Sequence, residues 1–172
     1  MNYLKIINYD TNNGKNFRVS LFVSGCDKQP KCKFCQNKIG WSHEAGFKYT
    51  QETENYIMGL LKQPLIKGFS LIGGEPIDNL QGGELIKLVK RIKTELPHIS
   101  IFCWTGYLYE NIINKSNVKE FLQYIDMLRD GEFIYELKDL NQYLQGSTNQ
   151  RYINVQESIK QNKLIEYDWS GI

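Results

Sequence analysis

Four apolar runs rich in β-branched and aromatic residues alternate with longer stretches of helical periodicity along this chain. The predicted strands are Phe17 to Val23, Gly68 to Ile72, Ile99 to Trp104 and Ile125 to Leu128. This alternation is typical of βαβ units, which place their strands side by side in a parallel sheet. The sequence therefore predicts an α/β fold with a mostly parallel sheet.

Helix signals fall in the intervals between these strands. A helix is predicted to begin near Thr50, with Glu52 and Glu54 in its first turn, where the helix dipole favours acidic side chains. A second helix is predicted by apolar residues at positions i, i+3, i+4, i+7 and i+11, namely Leu85, Leu88, Val89, Ile92 and Leu96. A third helical region follows, with apolar positions at Ile112, Val118, Phe121 and Leu122.

Chain length limits how far such a sheet can close. The chain has 172 residues, whereas a closed eight-stranded α/β barrel takes roughly 250. We therefore expect an open, partial (β/α) barrel in a single domain spanning residues 1–172. The open side of such a barrel gives a large substrate, even the backbone of another protein, access to the site.

Composition excludes several classes of protein. Lys and Arg number 21 against 19 Asp and Glu, a net charge of +2, and these cations form no basic stripe of the kind that binds nucleic acid. No apolar stretch approaches the roughly 18 residues of a membrane span, and the first ten residues lack the apolar core of a secretory signal. We expect a cytoplasmic protein with no nucleic-acid or membrane partner.

Each predicted strand ends in a loop that carries glycine together with polar or ligand-type residues. These loops are Gly25-Cys26, Gly73 to Pro76, Thr105-Gly106 and Asp130-Gly131. Active sites of parallel α/β folds lie at the carboxyl ends of the strands. The sequence therefore predicts a site where these loops meet.

Three of the four cysteines lie within ten positions, in a C-x5-C-x2-C pattern formed by Cys26, Cys32 and Cys35. This spacing suits an iron–sulfur cluster or a zinc ion, and redox-active thiols are a further alternative. Zinc needs a fourth ligand, for which His43 is the nearby candidate, whereas a four-iron cluster on three cysteines leaves one iron open. Cys103 lies in an apolar strand and is interpreted as a small buried hydrophobe.

Taken together, these motifs resemble the radical S-adenosylmethionine (SAM) superfamily, and within it the activating proteins of anaerobic ribonucleoside-triphosphate reductases. The resemblance covers most of the chain. It is carried by Phe22-Val23-Ser24-Gly25-Cys26, by Cys32-Lys33-Phe34-Cys35-Gln36-Asn37 with Trp41, by Gly73-Gly74-Glu75-Pro76, by Trp104-Thr105-Gly106-Tyr107, by Asp130-Gly131, and by Gly146-Ser147 with Asn149-Gln150-Arg151. One departure is the first cysteine spacing, which is five residues here and three in the usual pattern.

The resemblance implies a cofactor chemistry and a separate role for each motif. Cys26, Cys32 and Cys35 would hold a [4Fe-4S] cluster whose open iron is chelated by SAM. Reductive cleavage of SAM would give a 5′-deoxyadenosyl radical, so no side chain beyond the cluster and cofactor ligands need be catalytic. The loop of Gly73, Gly74, Glu75 and Pro76 would contact the methionyl amino group, and Phe34 would lie near the adenine.

The resemblance also implies partners. The chain would be an enzyme that abstracts the α-hydrogen of a backbone glycine of the reductase, supplied with electrons by a low-potential donor such as flavodoxin or ferredoxin. Alternatives are activation of another glycyl radical enzyme such as pyruvate formate-lyase, a small-molecule radical SAM reaction, and a non-catalytic zinc-binding module. The roles of Asn149, Gln150 and Arg151 stay unassigned from the sequence.

Overall fold

The structure, a computed structural model, describes residues 1–139, 144 and 146–167; the last part of the predicted domain, residues 168–172, lies outside the described residues. Within the described part, seven strands form one mixed sheet in the order β3-β1-β2-β4-β5-β6-β7. They are β1 (Asn2–Asp10), β2 (Phe17–Val23), β3 (Phe47–Lys48), β4 (Ile66–Gly73), β5 (Ser100–Trp104), β6 (Met127–Asp130) and β7 (Arg151–Asn154).

The centre of the sheet is parallel and its margins are antiparallel. Strands β2, β4, β5 and β6 pair in parallel, as the βαβ pattern predicts. On one side β1 runs antiparallel to both β2 and β3, and on the other side β7 runs antiparallel to β6. The prediction of a mostly parallel sheet therefore holds for the central strands and not for the margins.

Helices connect the parallel strands, and one more helix follows the last strand of the sheet. Those in the described ranges are α1 (Gln51–Leu61), α2 (Glu84–Glu95), α3 (Tyr109–Ile112), α4 (Ser116–Leu122) and α5 (Val155–Gln161). Thr50 caps α1, since its hydroxyl accepts a hydrogen bond from the Thr53 backbone N–H. The third predicted helical region is divided into α3 and α4. No helix among the described residues is long and apolar enough to cross a membrane.

The two faces of the central sheet differ in what covers them. Val19, Leu21, Leu71 and Cys103 point to one face, where they join the apolar side chains of the helices in a single core. Because side chains alternate along a strand, their neighbours point to the other face. On that second face Phe22, Ile72, Trp104 and Arg129 line a cavity.

A buried arginine fills the part of this second face that lies farthest from the glycine-containing loops. Arg18 is 1% exposed and donates hydrogen bonds to the Ser70 hydroxyl at 2.6 Å and to the carbonyls of Phe69 and Ser100. Its guanidinium lies 3.9 Å from the centre of the Phe102 ring. These bonds tie β2, β4 and β5 together at the end away from the glycine-containing loops.

Candidate functional site

A cavity of about 430 Å³ lies at the carboxyl ends of the central parallel strands. The structure brings to it all four loops that the sequence singles out. Cys26, Cys32 and Cys35 contribute from the loop after β2, Gly73 to Glu75 from the loop after β4, Thr105 and Gly106 from the loop after β5, and Gly131 from the loop after β6.

Backbone hydrogen bonds fix the first cysteine against its neighbours. The Gly25 N–H donates to the Gly40 carbonyl at 2.9 Å, and the Cys26 N–H donates to the Trp41 carbonyl at 3.3 Å. The Gly25 carbonyl in turn accepts the Glu75 N–H at 2.7 Å. The loop after β2 is thereby attached directly to the loop after β4.

Close packing explains why the second residue of the Gly73-Gly74 pair is a glycine. A Cβ atom on Gly74 would lie 2.3 Å from the Gly25 carbonyl oxygen and 2.6 Å from the Gly40 carbonyl oxygen. Gly73 has a φ of 116°, in the region that disfavours other residues. Both glycines thus allow the backbone after β4 to touch the backbone of the cysteine loop.

The three thiols of this loop are partly buried. Burial raises the pKa of Cys26, and it raises the pKa of Cys32 to about 11, an effect to which nearby Glu132 adds. Metal ligation requires thiolates, so loading of this site releases protons.

The three thiols of the cavity are the donor type that an iron–sulfur cluster takes. Among the described residues no three His, Cys, Asp or Glu side chains form a group that could hold a single metal ion. His43, the candidate fourth zinc ligand, does not line the cavity, and its Nε2 lies 2.9 Å from an Asp27 carboxylate oxygen. A four-iron cluster binds each thiolate through a different iron and so takes more widely spaced sulfurs.

Glu75 joins two of the loops around the cavity. One carboxylate oxygen accepts the Gly106 N–H at 2.7 Å, and the other accepts the Ile77 N–H at 3.1 Å. The side chain is 2% exposed. Burial raises its pKa to about 7, although the two backbone donors favour the ionised form. Pro76 follows at the start of a short 3-10 helix, Pro76–Asn79, and is buried outside the cavity lining.

Glu75 makes the stability of the fold depend on pH. Its pKa is about 7 in the folded chain against an ordinary value of 4.5, so between these values the folded state holds a proton that the unfolded state has lost. Stability therefore falls as the pH rises through this window. From pH 5 to pH 8 we expect the wild type to lose about 2 to 3 kcal/mol of unfolding free energy relative to Glu75→Gln.

Urea unfolding of the full chain and of Glu75→Gln, under anaerobic reducing conditions at several pH values, measures this difference. The variant also loses one backbone hydrogen bond, but that loss shifts its curve equally at every pH. If the stabilities of the two proteins change in parallel across this pH range, the raised pKa assigned to Glu75 is wrong.

Phe34 lies between two cavity-lining cysteines in the sequence but does not itself line the cavity. Its ring is 45% exposed and lies 4.5 Å from the centre of the Tyr135 ring, in the 3-10 helix Tyr135–Leu137. Lys28 reaches the same part of the chain, pairing with Glu132 at 2.6 Å. The cysteine loop is therefore attached to the segment that follows β6.

Comparisons with known proteins agree with this site. A family model described as a 4Fe-4S single cluster domain matches residues 12–153. The activating protein of anaerobic ribonucleoside-triphosphate reductase from Vibrio cholerae is 42% identical over 152 residues, which cover 87% of this chain and 96% of that protein. The proteins of the same name from Escherichia coli K12 and bacteriophage T4 are 37% and 35% identical, over 96% and 92% of their lengths.

The chain belongs to the family of anaerobic ribonucleoside-triphosphate reductase-activating proteins. No solved structure matches it. The family resemblance inferred from the sequence motifs is thus confirmed.

In this member of the family the structure also explains three residues that had no role from the sequence. Asn149 donates to the Glu132 carbonyl at 2.8 Å, and Gln150 donates to the Gly131 carbonyl at 2.9 Å. The Arg151 guanidinium binds the carboxylate of Asp130, which is fully buried. Asn149 and Gln150 hold the loop that follows β6 in place beside the cavity, and Arg151 holds the end of β6 itself.

Arg129 and Gln150 line the cavity as well, and sequence reasoning missed this for both. A signal was available for Arg129, since it alternates with the buried Leu128 and Asp130 along β6. A run of four residues is too short for this alternation to be distinguished from a chance order of polar and apolar residues.

Proposed function

We propose that this protein activates an anaerobic ribonucleoside-triphosphate reductase by generating a glycyl radical on it, through reductive cleavage of SAM at a [4Fe-4S] cluster. The observation that carries the proposal is the convergence of three thiols and the Gly-Gly-Glu loop on one cavity. The names of the relatives, which cover most of both chains, support the choice of the reductase as the substrate.

The residues of the cavity have distinct parts in this proposal. Cys26, Cys32 and Cys35 hold the cluster, and the backbone of Gly73 and Gly74 borders the cofactor. The Glu75 carboxylate accepts a hydrogen bond from the methionyl amino group, and this interaction favours the ionised form of Glu75. Phe34, next to two of the ligands, offers an exposed apolar ring to the adenine. When bound, the cluster and SAM supply a carbon radical strong enough to remove hydrogen from an unactivated carbon.

The architecture supports access for a protein substrate. Apolar helix faces cover one side of the central sheet, and the cavity lies on the other side. We infer that the central strands form the wall of an open, partial (β/α) barrel, and that its open side admits the glycine-bearing backbone of the reductase. Electrons come from a low-potential donor such as flavodoxin or ferredoxin.

Glycyl radical formation on the reductase tests the proposal. The chain is reconstituted anaerobically with iron and sulfide and mixed with SAM, dithionite and the reductase. We expect a glycyl radical signal by electron paramagnetic resonance, together with 5′-deoxyadenosine in the product mixture. Pyruvate formate-lyase in place of the reductase serves as the control substrate.

Two outcomes would oppose the proposal in different ways. A radical on pyruvate formate-lyase and none on the reductase would show that the chain activates pyruvate formate-lyase and not the reductase. If an iron-loaded, folded sample forms no 5′-deoxyadenosine, the chain does not cleave SAM and the proposal is wrong.

A further inference from the structure

A group of exposed apolar side chains lies beside the cavity, in the segment that follows β6 and on the cysteine loop. Its members are Ile134 (37% exposed), Tyr135 (51%), Leu137 (42%) and Phe34 (45%). We call these four residues the apolar rim. Single exposed apolar residues are common on protein surfaces, whereas a contiguous group of them marks an interaction site.

Hydrogen bonds hold the rim in a fixed shape. The Ile134 N–H donates to the Ser147 hydroxyl at 3.2 Å, and the Leu137 carbonyl accepts the Thr148 N–H at 2.9 Å. The Leu137 N–H donates to the Ile134 carbonyl at 3.1 Å, so these two residues lie one 3-10 turn apart, the spacing that places side chains on the same face. A partner can therefore pack on a preformed surface without first ordering it.

The rim begins where the lining of the cavity ends. Phe133 lines the cavity and directly precedes Ile134, and Cys35 lines the cavity and directly follows Phe34. The Phe34 and Tyr135 rings join the two segments, with their centres 4.5 Å apart. A protein whose backbone enters the cavity therefore brings the residues on either side of the inserted segment onto the rim.

Charges next to the rim balance one another. Lys33 and Glu136 pair at 3.6 Å on the exposed surface, and Lys28 pairs with Glu132 at 2.6 Å. The two residues that follow the rim, Lys138-Asp139, have opposite charges as well. Steering of a strongly charged partner needs an excess of one sign, so this surface suits a partner that makes apolar contacts.

We propose that the apolar rim is the docking surface for the reductase segment that carries the activated glycine. Apolar side chains on either side of that glycine pack on Ile134, Tyr135 and Leu137, and this contact holds the glycine backbone in the cavity. The inference rests on the proposed function, because it takes the reductase as the partner.

The dependence of glycyl radical formation on reductase concentration tests the proposal. The variants are Leu137→Ser and Tyr135→Ser, each as the full, cluster-loaded chain with dithionite as reductant. We expect each variant to raise the KM for the reductase by roughly 10-fold or more, the effect of truncating a central apolar contact of an interface. Neither side chain lines the cavity, so 5′-deoxyadenosine formation without the reductase is expected to equal that of the wild type.

Leu65→Ser is the matched control. Leu65 is 58% exposed and directly precedes β4, at the end of the sheet away from the cavity. We expect this variant to have the wild-type KM for the reductase. Because the proposed contacts are apolar, raising the ionic strength is also expected to leave the wild-type KM nearly unchanged.

Several outcomes would overturn the inference. One is a wild-type KM in Leu137→Ser and Tyr135→Ser, and another is an equal rise in Leu65→Ser. A loss of 5′-deoxyadenosine formation without the reductase would show that the substitutions act on the cavity and not on docking. A KM that rises steeply with ionic strength would assign docking to charged groups.

Two other occupants of the rim are distinguished in the same samples. If the variants are defective with reduced flavodoxin but normal with dithionite, the rim binds the electron donor and the inference is wrong. If the wild type sediments as a dimer and the variants as monomers, the rim binds a second copy of the chain. Circular dichroism checks folding, and if one variant fails to fold the other decides the question.

Failure of the proposed function gives a different result. In that case the wild type itself forms no glycyl radical at any concentration of the reductase. A normal wild type with normal Leu137→Ser and Tyr135→Ser variants would leave the proposed function intact and refute the docking surface alone.

Discussion

Replacing any one of Cys26, Cys32 and Cys35 with alanine is expected to reduce SAM cleavage to the level of a protein-free control. All three side chains line the same cavity, and in the proposed function each supplies one of the three thiolates that hold the cluster. The measurement is the yield of 5′-deoxyadenosine after anaerobic reconstitution with iron and sulfide, in the presence of SAM and dithionite. Iron content and circular dichroism report on loading and folding in the same samples.

Cys103→Ala provides the matched control. Cys103 is fully buried in the apolar core, on the sheet face opposite the cavity, and burial raises its pKa well above the ordinary value. We expect this variant to lose about 1 kcal/mol of stability through the lost packing of its sulfur and to keep its iron and its activity. If a folded Cys103→Ala is as inactive as the other three variants, the ligand assignment is wrong.

Replacing Arg151 with alanine is expected to lower the free energy of unfolding by about 3 kcal/mol. The guanidinium binds the carboxylate of Asp130, which is 0% exposed, and its removal leaves that carboxylate buried without a counter-ion. Asp130 retains only the hydrogen bond from the Tyr109 N–H at 2.8 Å among those found in the described structure. Urea denaturation of the full chain measures the loss.

Glu110→Ala separates this buried interaction from an exposed one. Glu110 binds the same guanidinium at 2.8 Å but is 55% exposed, and an exposed pair contributes at most about 1 kcal/mol. We therefore expect a small effect from Glu110→Ala and a large one from Arg151→Ala. Equal losses in the two variants would assign the stabilisation to the exposed pair and contradict the argument.

The parallel part of the fold could be predicted because its strands are runs of mostly buried apolar residues. Predicted strand Phe17 to Val23 coincides with β2, and the other three predicted strands overlap β4, β5 and β6. Strand β1 was not predicted, because it is only half buried and mixes Lys5 and two Asn residues with its apolar positions. The position of β1 in the sheet depends on its pairing with β2. This pairing produces no recognisable pattern in the sequence of β1 itself.

The site was predictable to the extent that it follows from strand topology. The carboxyl ends of parallel strands meet, so the loops containing Cys26, Glu75, Gly106 and Gly131 meet as well. What topology does not reveal is which side chains turn inwards. Arg129 turns towards the cavity, and Phe34 lies against Tyr135. These directions depend on local packing between segments that are distant in the sequence.

The contact between Gly74 and the Gly25 carbonyl restricts the substitutions that the chain can accept during evolution. No residue with a Cβ fits at position 74 unless the backbone before Cys26 moves away. A displacement there would also move Cys26, the first of the three proposed cluster ligands. A larger residue at position 74 is therefore expected to be tolerated only together with a compensating change in the loop before Cys26, even though about fifty residues separate the two positions in the sequence.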